Sequence, residues 1–105
     1  MTPEKWQSYP REKQILNIAS EFSRTKFWLL KGEERQALNC LDRIFELLDL
    51  TINDPNWRKK GLREMLRLRE VLSQFYIENK KDLNQFLKIF KILLLFNKFT
   101  SSVEI

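Results

Sequence analysis

The residue types that carry most enzyme chemistry are sparse in this chain. It has no histidine, so the commonest general base and metal ligand is missing. Its single cysteine, Cys40, falls on the margin of an apolar stripe with Ala37, Leu41 and Ile44, where a lone thiol packs as a small hydrophobe. Asp42, Glu46 and Asp49 form an acidic row along one helix face. Such a row holds a hard cation only when a second helix adds more oxygens, and the Glu-x-x-His pattern of di-iron bundles cannot be written without histidine. There is no glycine-rich phosphate loop and no metal-ligand spacing. These features point away from an enzyme, and no catalytic residue, cofactor or metal ligand is assigned.

The cations offer more. Residues 1–57 carry 8 Lys/Arg against 9 Asp/Glu, whereas residues 58–105 carry 11 against 5. Arg58, Lys59, Lys60, Arg63 and Arg67, beside Trp57, are the candidate nucleic-acid contact, because phosphate binding needs clustered cations on one face. Glu64 and Glu70 interleave with them, and no row of aromatics alternates with the basic residues. A nucleic-acid-binding accessory role is therefore the alternative reading, not the first.

Winding "LREMLRLRE", Leu62–Glu70, at about 100° per residue separates its three arginines. Arg63 and Arg67 fall on the polar side, and Arg69 falls within the apolar arc between Leu62, Met65 and Tyr76. A buried cation needs a partner. A turn centred near Asp54–Asn56 sets Arg69 level with Asp42, which is the expected structural ion pair; Asp49 is the less well placed second choice. Lys26 falls on an apolar stripe in the same way, and a polar pocket around Arg69, Lys26, Tyr76 and Trp28 is a third reading. A turn at Lys31-Gly32 sets Glu21 level with Arg43.

These positions presuppose four helices. The first runs from Pro10 to Lys31-Gly32, with Ile15, Ile18, Ala19, Phe22, Leu29 and Leu30 spaced by threes and fours. The second runs from about Glu33 to about Asn53 on Ala37, Leu41, Ile44, Leu48 and Ile52. "NDPN" then breaks the chain, and the third helix occupies part of Pro55–Ile77. Its start is set either by Asp54 capping Pro55 or by a site nearer Lys59. Its stripe is Leu62, Met65, Leu66, Leu72 and Tyr76, flanked by Leu68 and Phe75. The fourth follows "ENKKD" with Leu83, Phe86, Leu87, Phe90, Leu93 and Leu94. Short connections between long amphipathic helices force antiparallel neighbours. The expected fold is all-α, an antiparallel up-down helical bundle of three long helices plus a more apolar fourth. It forms a single domain over residues 1–105, with an N-terminal extension at 1–9 and a C-terminal tail at 100–105.

The fourth helix is oilier than one exposed face requires. In "FLKIFKILLLFNKF", Phe86–Phe99, Ile89, Ile92 and Phe96 fall behind the main stripe, interrupted only by Lys88, Lys91 and Lys98. Self-association through Ile89, Ile92 and Phe96, most simply as a homodimer, is the leading expectation. Burial within the chain ranks second and a membrane surface last. The longest apolar run, Ile92–Phe96, is far short of the roughly 20 residues that span a bilayer. With one cysteine and no secretory pattern, the chain reads as cytoplasmic.

Overall fold

The computed structural model describes residues 1–96; Lys98 and the expected tail at 100–105 lie outside the described residues. Thr2 opens the fold. Its hydroxyl accepts from the Lys5 amide at 3.2 Å, and Pro3 brings the fixed φ of a first helical position, so Pro3–Gln7 form a short helix, α1. The stretch expected as an extension thus carries a core residue, because Trp6 is fully buried.

Pro10 caps α2, Arg11–Leu30. The α2 end is closed by a Schellman motif: the Gly32 amide donates to Leu29 O at 3.1 Å and the Glu33 amide to Trp28 O at 2.9 Å, with Gly32 at φ +72°. Helix α3 follows at once, Glu34–Ile52. The third segment resolves into two parts. Asp54 accepts from the Asn56 amide at 2.9 Å and opens a 3-10 turn, Pro55–Trp57. Gly61, at φ +98°, then starts α4, Leu62–Ile77. Asp82 accepts from the Asn84 amide at 3.0 Å and caps α5, Leu83–Leu94.

The all-α bundle of the sequence reading is the fold. Around the core, α2 lies beside α3, α3 beside α4, α4 beside α5, and α5 closes back onto α2, while α1 packs on α3. Two ion pairs mark the register between neighbours. Glu21 meets Arg43 about a midpoint at Gly32, and Arg69 meets Asp49 about a midpoint at Lys59. The centre is aromatic: Phe22 lies 5.2 Å from both Phe86 and Phe90, and Phe75 lies 5.5 Å from Phe86.

The stripes of α2 and α3 lie inward as expected, with Ile15, Ile18, Phe22, Leu41, Ile44 and Leu48 all buried. Leu30, the last residue of α2, is exposed instead. On α4 the buried arc is Met65, Leu68, Leu72 and Phe75, so the helix is rotated toward the expected flank and Leu66 faces solvent. On α5 the buried set is Phe86, Ile89, Phe90, Leu93 and Leu94. A corner helix touching two neighbours buries a wider arc than a single stripe, and here that arc takes in Ile89.

Gly61 is held to glycine by its backbone and by its surroundings. A Cβ there would stand 2.7 Å from the Trp57 ring and 2.8 Å from the Arg11 guanidinium. At Gly32, also at positive φ, a Cβ would meet nothing within 4 Å. Gly32→Ala should therefore cost only the left-handed strain, about 1–2 kcal/mol. Gly61→Ala should cost more, since the strain comes with displacement of a buried ring. Urea unfolding of the two variants checks the ranking.

Candidate functional site

One end of the bundle is built around a buried polar network that the apolar stripes do not show. The Trp6 indole donates to Thr51 Oγ1 at 3.1 Å. The Gln14 amide donates to Trp6 O at 2.8 Å and to Asp54 Oδ2 at 2.9 Å. The Trp57 indole donates to Gln14 Oε1 at 2.7 Å. All five side chains are buried, and among the described residues no buried side-chain polar atom lacks a partner. Such a satisfied network fixes geometry, because each member left alone would carry its full desolvation cost. Gln14 was detectable in the sequence: it stands four residues before Ile18, on the α2 stripe. Trp6 and Trp57 lie in polar segments with no periodicity, so their burial had no such signal.

This network sets the platform for the basic residues. Arg11 stacks 3.7 Å over the Trp57 ring and donates to Lys60 O at 2.7 Å, tying α2 to the turn that carries the cations. Arg58, Lys59, Lys60, Arg63 and Arg67 are all exposed. The three ion pairs among the described residues use Arg24, Arg43 and Arg69 instead. Trp57, expected beside the basic set, is wholly buried and offers no face on which a base could stack.

The same end carries the largest correction to the expected partner interface. Of Ile89, Ile92 and Phe96, Ile89 is only 2% exposed and belongs to the core. Phe96 is half-buried and meets Trp57 edge to face at 5.9 Å. Ile92 is 45% exposed, and its neighbour Leu95, not singled out by the sequence pattern, is 64% exposed. Ile92, Leu95 and Phe96 line a cleft of about 250 Å³ at the α4–α5 seam, with Glu64 of α4 as the fourth lining residue. The Trp57–Phe96 contact brings the end of α5 to the 58–60 turn, so cleft and cations share one end of the bundle.

The expected Arg69–Asp42 pair is not formed. Arg69 Nε donates to Asp49 Oδ1 at 2.7 Å, and its guanidinium lies 5.2 Å over the Phe45 ring. The 3-10 turn and Gly61 lengthen the α3–α4 connection, which moves the register centre from Asp54–Asn56 to Lys59 and brings Asp49 opposite Arg69. Both partners are partly exposed, so the pair contributes at most about 1 kcal/mol. Asp42 faces Tyr76 instead. Side-chain hydrogen bonding to Asp42, with burial and the carboxylate charge, raises the phenol above its ordinary value.

The sign follows directly. A phenol raised in the folded state contributes stability that is complete below its unfolded value, near about 10, and is lost as pH climbs through the folded value. Asp42→Asn should lower the Tyr76 titration, read by ultraviolet absorbance, and remove this contribution at neutral pH, where it is complete.

The remaining sequence candidates divide differently. Glu21 and Arg43 pair as expected, at 3.1 Å, and Arg43 also donates to the buried Cys40 thiol at 3.2 Å. Lys26 sits on α2 and Arg69 on α4, which lie diagonally across the bundle. Trp28 packs edge to face on the exposed Phe27 at 5.0 Å, near the other end of the molecule. A second cleft of about 260 Å³ opens there between Leu29, Gly32, Glu34, Asn79, Lys80 and Lys81. Among the described residues no group of three or more His, Cys, Asp or Glu is placed to hold a metal ion. No helix of the described residues is long and apolar enough to cross a membrane. No protein-family model matches the chain, and no curated protein or solved structure is significantly similar to it.

Proposed function

We propose that this protein is a non-enzymatic, cytoplasmic helical bundle that works by protein–protein association through the end of the α4–α5 seam. The supporting observation is the exposed pair Ile92 and Leu95, beside Phe96 in an apolar cleft, at the end of a helix whose other hydrophobics are buried or partly buried. Clustered exposed hydrophobics of this kind mark contact surfaces more often than scattered single ones. A homodimer is the simplest form of this reading. With Ile89 in the core, however, the surface left for it is smaller than the sequence pattern suggests, and a stable interface needs about 1,200–2,000 Å² in total.

The test is the size of the native particle. In extracts of the producing cells, the chain should elute in an assembly larger than its own 12.8 kDa. A variant combining Ile92→Glu and Leu95→Glu, equally helical by circular dichroism, should elute alone. A wild-type chain that elutes alone contradicts the reading.

The set Arg58, Lys59, Lys60, Arg63 and Arg67, exposed and without an ion pair to any described residue, supports a second reading, nucleic-acid binding. On that reading the logarithm of affinity falls with the logarithm of salt at about −0.9 per phosphate contacted. A double reversal, Lys59→Glu with Arg63→Glu, should then flatten the slope. No retention on a mixed nucleic-acid pool at low salt removes this reading.

A further inference from the structure

Resting on the association reading, we propose that the α4–α5 seam receives an acidic amphipathic helix of another protein and not a second copy of this chain. The first argument is shape. The cleft, about 250 Å³ and lined by Ile92, Leu95, Phe96 and Glu64, is smaller than the roughly 300–1,000 Å³ of small-molecule pockets. An open apolar groove between two helices suits the side-chain ridge of a third helix, with anchors repeating at three and four residues.

The second argument is charge. Lys88 precedes Ile92 by one α5 turn and Lys91 precedes Leu95 by one turn; both lysines are exposed. On α4, the exposed Arg67 lies three residues beyond Glu64. The Trp57–Phe96 contact brings the exposed turn Arg58–Lys60 to the same end. The apolar strip is therefore bordered by cations on both helices, and among the described residues Glu64 is the lone acid of its lining.

A two-fold contact through this strip would set its cationic rim against the same rim of the copy, with Glu64 the one described acid of the lining to offset it. Like charges facing across an interface cost several kcal/mol and reject the wrong partner. Acids flanking the apolar ridge of a different helix would pair with the same cations, and a single base on that helix would satisfy Glu64. An anionic lipid surface also complements the charge, but it covers protruding apolar faces and does not enter a cleft walled by a carboxylate.

The test uses the purified full chain and synthetic helices of about three heptads with a leucine ridge, flanked in one by glutamate and in the other by lysine. Fluorescence anisotropy should show binding of the glutamate helix alone. Affinity should fall about tenfold or more in the double variant Lys88→Glu, Lys91→Glu, as expected for reversed flanking charges, and in Leu95→Glu, with unchanged urea midpoints. Equal binding of the two helices, or of neither, overturns the proposal. Self-association in sedimentation that Leu95→Glu abolishes also overturns it, while leaving the association reading intact. Binding of phosphatidylserine vesicles or a DNA duplex in place of the glutamate helix overturns it as well.

Discussion

Trp57→Ala should cost the domain about 3–5 kcal/mol, the range for emptying a buried aromatic site, out of a total stability of roughly 5–15 kcal/mol. The ring is wholly buried and ties its own turn to α2 and to the end of α5. Arg11 of α2 stacks on it, Phe96 beyond α5 meets its edge, and its indole donates to Gln14. Trp57→Phe separates the packing from the hydrogen bond. It keeps most of the apolar volume but leaves Gln14 Oε1 without its donor inside the core, a penalty of about 1–3 kcal/mol. Urea unfolding followed by circular dichroism should therefore rank wild type above Trp57→Phe and Trp57→Phe above Trp57→Ala. Equal stability of all three would mean that the end of the bundle is not organised around this residue.

The second large effect distinguishes two residues that share a face in the sequence pattern. Ile89→Ala should cost about 2–5 kcal/mol, as for other buried aliphatic truncations, because Ile89 is 2% exposed. Ile92→Ala, three residues on and 45% exposed, should cost under about 1 kcal/mol. The contrast is read from unfolding midpoints of dilute protein. Similar small losses at both positions would return Ile89 to the surface and restore the wider self-association face.

The architecture was legible because α2 and α3 each carry one strong apolar stripe and the breaks at Lys31-Gly32, "NDPN" and "ENKKD" are chemically marked. The Glu21–Arg43 pair followed, since a three-residue link leaves little freedom of register. The Arg69 partner did not follow. The Pro55–Trp57 turn and Gly61 add length that periodicity cannot count, and a shift of a few residues in the register centre exchanges Asp42 for Asp49. The α5 interface was only partly legible for a different reason. A stripe assumes one buried face, but a bundle corner buries two adjoining sides, which absorbs Ile89 and leaves Ile92 and Leu95 at the rim. The Trp6–Thr51–Gln14–Asp54–Trp57 network is closed by hydrogen bonds between residues up to 45 positions apart, and only Gln14 and Thr51 betray themselves by standing on stripes.

The central claim is that α5 is packed within its own chain and leaves only its Ile92–Leu95 rim for a partner. Amide hydrogen exchange, followed in dilute protein and again at high concentration, tests this most directly. The account predicts that the Ile89, Phe90 and Leu93 amides are protected as strongly as Leu41 and Ile44 of α3, at a level independent of concentration. Rapid exchange along α5 in dilute protein, with protection gained only as the concentration rises, would contradict it.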